Sequence, residues 1–285
     1  MIQAFIKHVL GVDADHPGIY GDTSSYYGTV EQQSCLTLHL HMLLWIKGAL
    51  TPQEICDQIM DPKSDFQKKM VEYLESVHMG EFITGSLEDV KHNLDIAELD
   101  DQYKNLTETL PIPPPPQCNQ NACGKCKSCH ATNSWESQFS STVDDILLQS
   151  NTHKCTGGSK QYEKRKMKYK NKNIVDKYQP CLSNKWGKCK AHFPCKTFEQ
   201  TKVNPDSGAL NIKKGESILN TVIAEVTYLI YNNTDVTSLL SGTAIKAVVA
   251  YVSDYISKPA LKTYLIFESV NSVFDRNSEI GRAHV

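Results

Sequence analysis

The chain has 285 residues, with 30 Lys+Arg against 32 Asp+Glu, 40% hydrophobic residues and 10 Cys, the make-up of a globular protein of one large domain or two small ones. Its longest apolar run, Leu36 to Ile46, is interrupted by His39 and His41 and falls short of the ~20 residues a membrane-spanning helix needs. The start, Met1 to His8, lacks both the basic start and the long apolar core of a secretion signal. A cytoplasmic or nuclear protein is expected, and in a reducing setting its cysteines point to metal ligands or buried thiols more than to disulfides.

The near-zero net charge hides an asymmetry. Residues 1–110 carry 7 Lys+Arg and 18 Asp+Glu, a net of −11, whereas residues 154–190 carry 12 and 2, a net of +10. The basic stretch fits a polyanion partner or a solvated loop. In chain order, Ile2, Phe5, Ile6 and Val9 share one helical face, with Gly11 at the position of a C-cap. Tyr26 to Gln33 and Thr37 to Ile46 read as two antiparallel strands joined through Ser34, Cys35 and Leu36. Thr51-Pro52-Gln53-Glu54 is a capping box that predicts a helix over 52–60, and the spacing of Phe66, Met70, Tyr73, Leu74 and Val77 predicts another over 65–78. Five prolines between Pro111 and Pro116 predict an extended spacer over 111–117. A cysteine-rich basic insertion follows over 118–200, then helices over 217–232 and 243–258, the latter stopped by Pro259. Strands in front and helices behind give an α+β fold: an antiparallel sheet carrying an H-x-H hairpin, flanked by helices, with a zinc-binding insertion.

Three groups of residues have the chemistry for a site. His39 and His41, two apart on a strand, emerge on one face, and Glu31 and Gln33 share a face of the neighbouring strand. Two imidazoles plus a carboxylate or amide oxygen suit a catalytic divalent ion with open positions; a polar strand edge gives the same short pattern. Tyr251 and Tyr255 stand one turn apart beside the apolar stripe of the 243–258 helix, with Lys258 on their flank. A cation near such phenols favours the nucleophilic phenolate, while edge-of-core tyrosines would look alike in sequence. The spacing Cys118-x4-Cys123-x2-Cys126-x2-Cys129, followed by His130, suits tetrahedral zinc, and a polar segment of this kind needs metal to fold. His153, Cys155, Cys181, Cys189 and His192 offer a second set, and Cys35, Cys56 and Cys195 read as ordinary thiols.

Taken in order, Tyr26 to Gln33, Thr37-Leu38-His39-Leu40-His41 and Tyr251-x3-Tyr255-Ile256-Ser257-Lys258, together with Asn233 to Ala244, resemble the replication-initiator endonuclease region of Helitron rolling-circle transposases, above all fungal copies. The likeness covers about residues 1–270. It implies that His39 and His41 bind Mg²⁺ or Mn²⁺ with Gln33, or Glu31, as third ligand, and that Tyr251 and Tyr255 are nucleophiles assisted by Lys258. The implied reaction nicks single-stranded DNA at transposon ends through a 5′-phosphotyrosine and transfers the strand, in the nucleus. Cys118, Cys123, Cys126, Cys129, His153, Cys155, Cys181 and Cys189 would hold structural zinc. Lys164, Arg165, Lys166, Lys168, Lys170 and Lys172 would track the DNA backbone. Residues 1–110 and 201–270 would then be the front and helical parts of the endonuclease domain.

The chain also departs from that family. Ser34-Cys35 stands where relatives have Gly-Arg, and the first strand expected upstream of Met1 is absent. No G-x4-G-K-[ST] motif marks the helicase that follows in full-length relatives. Residues 271–285 read as a truncated tail, with Glu279 to Val285 resembling translated adapter sequence. These departures leave activity of the chain open, with a catalytically inactive zinc-stabilised nucleic-acid-binding remnant as the alternative. A metallohydrolase built on H-x-H would need further His and Asp ligands on later strands, and the downstream histidines fall mostly among the cysteines.

Overall fold

The computed structural model describes residues 2–32, 38–61, 65–118, 123–155, 181–182, 184–204, 208–241 and 244–250. Gln33, Cys35, the basic residues Lys164 to Lys172, and Tyr251, Tyr255 and Lys258 lie outside the described residues. The chain is mixed helix and strand with small antiparallel sheets, and it divides into two units: Met1–Ala49 with the C-terminal stretch from Leu239, and Leu50–Ser238.

In the first unit, helix α1 (Ile2–His8) buries Ile6, and Leu10 just beyond it is almost wholly enclosed. Gly11 takes φ 68°, and a Cβ there would sit 2.4 Å from the Gly18 nitrogen. Glycine therefore allows the loop to fold back onto the helix end, where Ile19 N–H donates to Val9 O at 2.9 Å and the Thr23 hydroxyl donates to Leu10 O at 2.7 Å. Strands β1 (Thr23–Gln32) and β2 (Leu38–Ile46) follow, antiparallel, in a register that sets Thr29 opposite His41 and Glu31 opposite His39. Residues 244–250 are helical, as expected for the start of the 243–258 helix.

The second unit opens with α2 (Pro52–Ile59), whose capping box is formed: Thr51 N–H donates to Glu54 Oε2 at 2.7 Å and Glu54 N–H donates back to Thr51 Oγ1. Proline in its first turn loses no helical bond. Helix α3 (Phe66–Val77) lies against α2 and buries Leu74 and Val77. Helix α4 (Leu87–Ala97) starts from a second capping box, Ser86 with Asp89. Helix α5 (Lys127–Ile146) is the longest element among the described residues, ending in a π-turn over Leu147–Asn151. Short strands β3 (Lys202–Val203) and β4 (Leu210–Asn211) pair antiparallel, and α6 (Ala224–Ile230) closes the unit with Tyr231 in the left-handed region.

The core joins Phe82, Val90, Val143, Leu147, Leu219, Val222 and Tyr228, so α4, α5 and α6 pack about one centre. A buried carboxylate ties the loop before α4 to α5: Asp144 accepts from Ile83 N–H and Thr84 N–H, both at 2.7 Å, and from the Thr84 hydroxyl at 2.6 Å.

One element is shorter than its sequence reading. The helix expected over 217–232 begins only at Ala224, because the preceding backbone bridges other segments. Met79 and Val222 exchange both backbone bonds, His153 N–H donates to Ile218 O, and Cys195 N–H donates to Ser217 O. Groups used in such bridges cannot also make i→i−4 bonds. The proline stretch carries no helix or strand, as its composition demands, and it is tied down. Trp135 Nε1 donates to Ile112 O at 2.8 Å and Ile112 N–H donates to the Tyr228 hydroxyl at 2.9 Å, so the strap lies on the aromatic group Trp135, Phe139 and Tyr228.

Candidate metal centres

The first cluster forms at the N-terminus of α5. Cys126 is the N-cap residue, and its Sγ accepts from Cys129 N–H at 3.5 Å. Gly124, at φ 73°, turns the chain so that its N–H donates to Cys129 Sγ at 3.3 Å. The sulfurs of Cys118 and Cys123 stand 3.7 Å apart, Cys123 and Cys129 3.8 Å, Cys126 and Cys118 3.5 Å, and Cys126 and Cys129 3.6 Å. A tetrahedron of sulfurs about zinc, with Zn–S near 2.3 Å, has edges of about 3.8 Å. The four thiols thus match the zinc geometry, and N–H groups aimed at sulfur stabilise the thiolate form the metal requires. The backbone N–H groups of Lys125 and then Cys126 hold the Cys123 thiol below its ordinary value. His130 is exposed and takes no part.

The second cluster joins residues far apart in sequence: His153, Cys155, Cys181 and Cys189, whose ligand atoms all lie within 4.8 Å of one another. The π-turn after α5 delivers His153. Its backbone is fixed on Ile218 and its ring stacks on Phe193, centroids 4.4 Å apart at 12°. Its Nε2 sits 3.2 Å from Cys189 Sγ. Burial, and then the Cys189 and Cys181 thiols, push Cys155 up to about 11. Burial also opposes ionisation of Cys189, but the N–H groups of Phe193 and Ala191 and the neighbouring thiols outweigh it and hold its value low. Clustered thiolates repel one another, and a divalent ion supplies the positive charge that lets them ionise together. Both four-ligand groups can therefore hold a structural metal such as zinc.

None of the nine described cysteines forms a disulfide. Cys56 and Cys195 stay outside both clusters, as does His192. Among the described residues these clusters are the groups of three or more metal-type ligands. His39 and His41 are half-buried on β2, side by side along one face.

Sequence reading treats the insertion as polar and lysine-rich and misses α5 within it. The signal is present: Trp135, Phe139, Val143, Ile146 and Leu147 recur at helical spacing. Asn184, which braces the loop between Cys181 and Cys189, leaves no such pattern. No helix among the described residues is long and apolar enough to cross a membrane. No protein-family model matches the sequence, and no curated protein or solved structure matches it.

Proposed function

We propose that the chain is a zinc-stabilised single-stranded-DNA-binding segment of a Helitron-type rolling-circle transposase, carrying that enzyme's nicking residues. The observation that carries the reading is the pair of four-ligand clusters bracketing α5. The second of them, which includes Cys155 and Cys181, holds both ends of the segment between those residues, which is rich in Lys and Arg and includes Lys164 to Lys172. A chain that pins both ends of a cationic segment at one metal-type cluster is suited to holding a polyphosphate backbone.

The H-x-H part of the reading rests on sequence order and draws support from the strand register, in which Glu31 faces His39 across β1 and β2. His39 and His41, with Gln33 or Glu31, would hold Mg²⁺ or Mn²⁺, which polarises a scissile phosphate when bound. Tyr251 or Tyr255 would attack phosphorus as phenolate, with Lys258 favouring the ionised form. The P–O3′ bond breaks, leaving a 5′-phosphotyrosine and a free 3′-hydroxyl. In a complete transposase a C-terminal ATP-dependent helicase would follow, and the site of action would be nuclear.

Incubation with single-stranded DNA carrying Helitron ends and Mn²⁺ tests the reading. A covalent adduct that survives denaturation, and that disappears in the Y251F/Y255F double variant, is the expected result. Salt-sensitive DNA binding without an adduct, where a full-length relative reacts, would instead identify an inactive zinc-stabilised remnant.

A further inference from the structure

The loop between Cys181 and Cys189 is built around one buried side chain. The Asn184 amide donates from Nδ2 to Cys181 O at 3.0 Å and to Lys188 O at 2.7 Å, and its Oδ1 accepts from Trp186 N–H at 3.0 Å. Gly187 turns the chain at φ 63° and donates its N–H to Asn184 O, and Lys190 N–H closes the loop on Cys181 O. This framework lifts Trp186 to the tip, where it is 71% exposed, while the ligands at its base are drawn into the cluster. The Lys185 ammonium lies 4.4 Å from the centre of the indole ring.

Exposing a large aromatic ring on a braced loop forgoes the stabilisation its burial would bring. The surrounding chemistry indicates what covers it. Residues 181–196 contain Lys185, Lys188, Lys190 and Lys196 and no Asp or Glu; Lys185, over the ring, and Lys188, two residues along the loop, are both exposed. An apolar protein partner would leave these ammonium groups desolvated and unpaired. Single-stranded nucleic acid instead presents flat bases and phosphates together, matching an indole flanked by cations.

We propose that Trp186 is a base-stacking platform for single-stranded DNA, with Lys185 and Lys188 contacting the flanking phosphates. The proposal rests on the DNA-binding reading above and names the residue that would distinguish bases from backbone.

The test uses the full zinc-loaded chain and two fluorescent probes of equal length, oligo(dT) and an abasic oligonucleotide with the same phosphates. W186A is expected to weaken oligo(dT) binding by roughly 5- to 150-fold, the range set by loss of one stacked base. It should leave abasic binding unchanged, while W186F retains most of the affinity. K185Q should weaken binding to both probes and flatten the salt dependence. Zinc content and far-UV circular dichroism matching the parent chain would show that the W186A loop is intact. Equal oligo(dT) affinity for the parent and W186A would overturn the platform while leaving the DNA-binding reading in place. Failure of the parent chain to bind either probe would overturn both.

Discussion

Asn184 shows how much of the second metal centre depends on a residue that binds no metal. It is buried and satisfies two carbonyls and one amide of the loop that carries Cys181 and Cys189. Alanine would leave the Lys188 carbonyl without its Nδ2 donor and the Cys181 carbonyl with the Lys190 N–H alone, a loss that costs about 1–3 kcal/mol. N184A is therefore expected to weaken zinc at this cluster by roughly 30-fold, measured by competition with a chromogenic chelator, while the other cluster is unaffected. Equal loss from both clusters would show that the loop does not act locally. Residue-scale chemistry was legible in part. The close spacing of Cys118, Cys123, Cys126 and Cys129 announces a tetrahedral site because neighbouring backbone alone brings the sulfurs together. The ligands from His153 to Cys189 meet only through tertiary contacts, and sequence spacing does not select Cys155 over His192 or Cys195.

At the scale of elements, α5 organises the second unit. One face supplies Val143, Ile146 and Leu147 to the interior, its N-terminus carries one cluster, and its far end leads into the other. Twenty residues of helix span roughly 30 Å, so the helix acts as a strut between the two centres. Next to the clamp made by Asp144, burial, and then the charges of Asp144 and Glu98, raise Asp145 to about 6 from its ordinary 3.8. The folded chain holds that proton more tightly than the unfolded one. The stability contributed by the protonated group is thus fully present below pH 3.8 and is lost as pH rises through about 6. D145N should stabilise the protein at pH 7 by about 1 kcal/mol, a figure reduced because the side chain is partly exposed to solvent. Urea titrations should show the gain shrink toward zero near pH 4, and an equal gain at both pH values would argue against a raised pKa. The capping boxes at Thr51 and Ser86 show what local signals can settle, since their partners lie three residues apart. The late start of α6 could not be read this way, because Leu219 and Val222 are apolar at helical spacing yet their backbone is bridged to distant segments.

For the whole molecule, both cysteine clusters lie in the unit Leu50–Ser238, whereas β1 and β2 belong to the other. Chelating the metal is accordingly expected to affect the two unequally. Hydrogen exchange after chelation should show loss of protection in the first turn of α5 and around 181–192, with β1 and β2 amides unchanged. Uniform loss across both units would show that metal binding and the folding of the whole chain are one transition.

The sequence alone determined the features that depend on neighbours along the chain: the paired strands, the capped start of α2, the first four-cysteine site and the split of charge between front and middle. Tertiary structure decided how the distant ligands of the second centre are brought together, where α6 begins, that the proline stretch is strapped onto aromatic rings, and that Trp186 stands exposed at a loop tip. The division follows from entropy and distance. Short-range patterns fix their own geometry at small loop-closure cost, whereas contacts such as His153 with Cys189 form only after the core around α5 has positioned both ends.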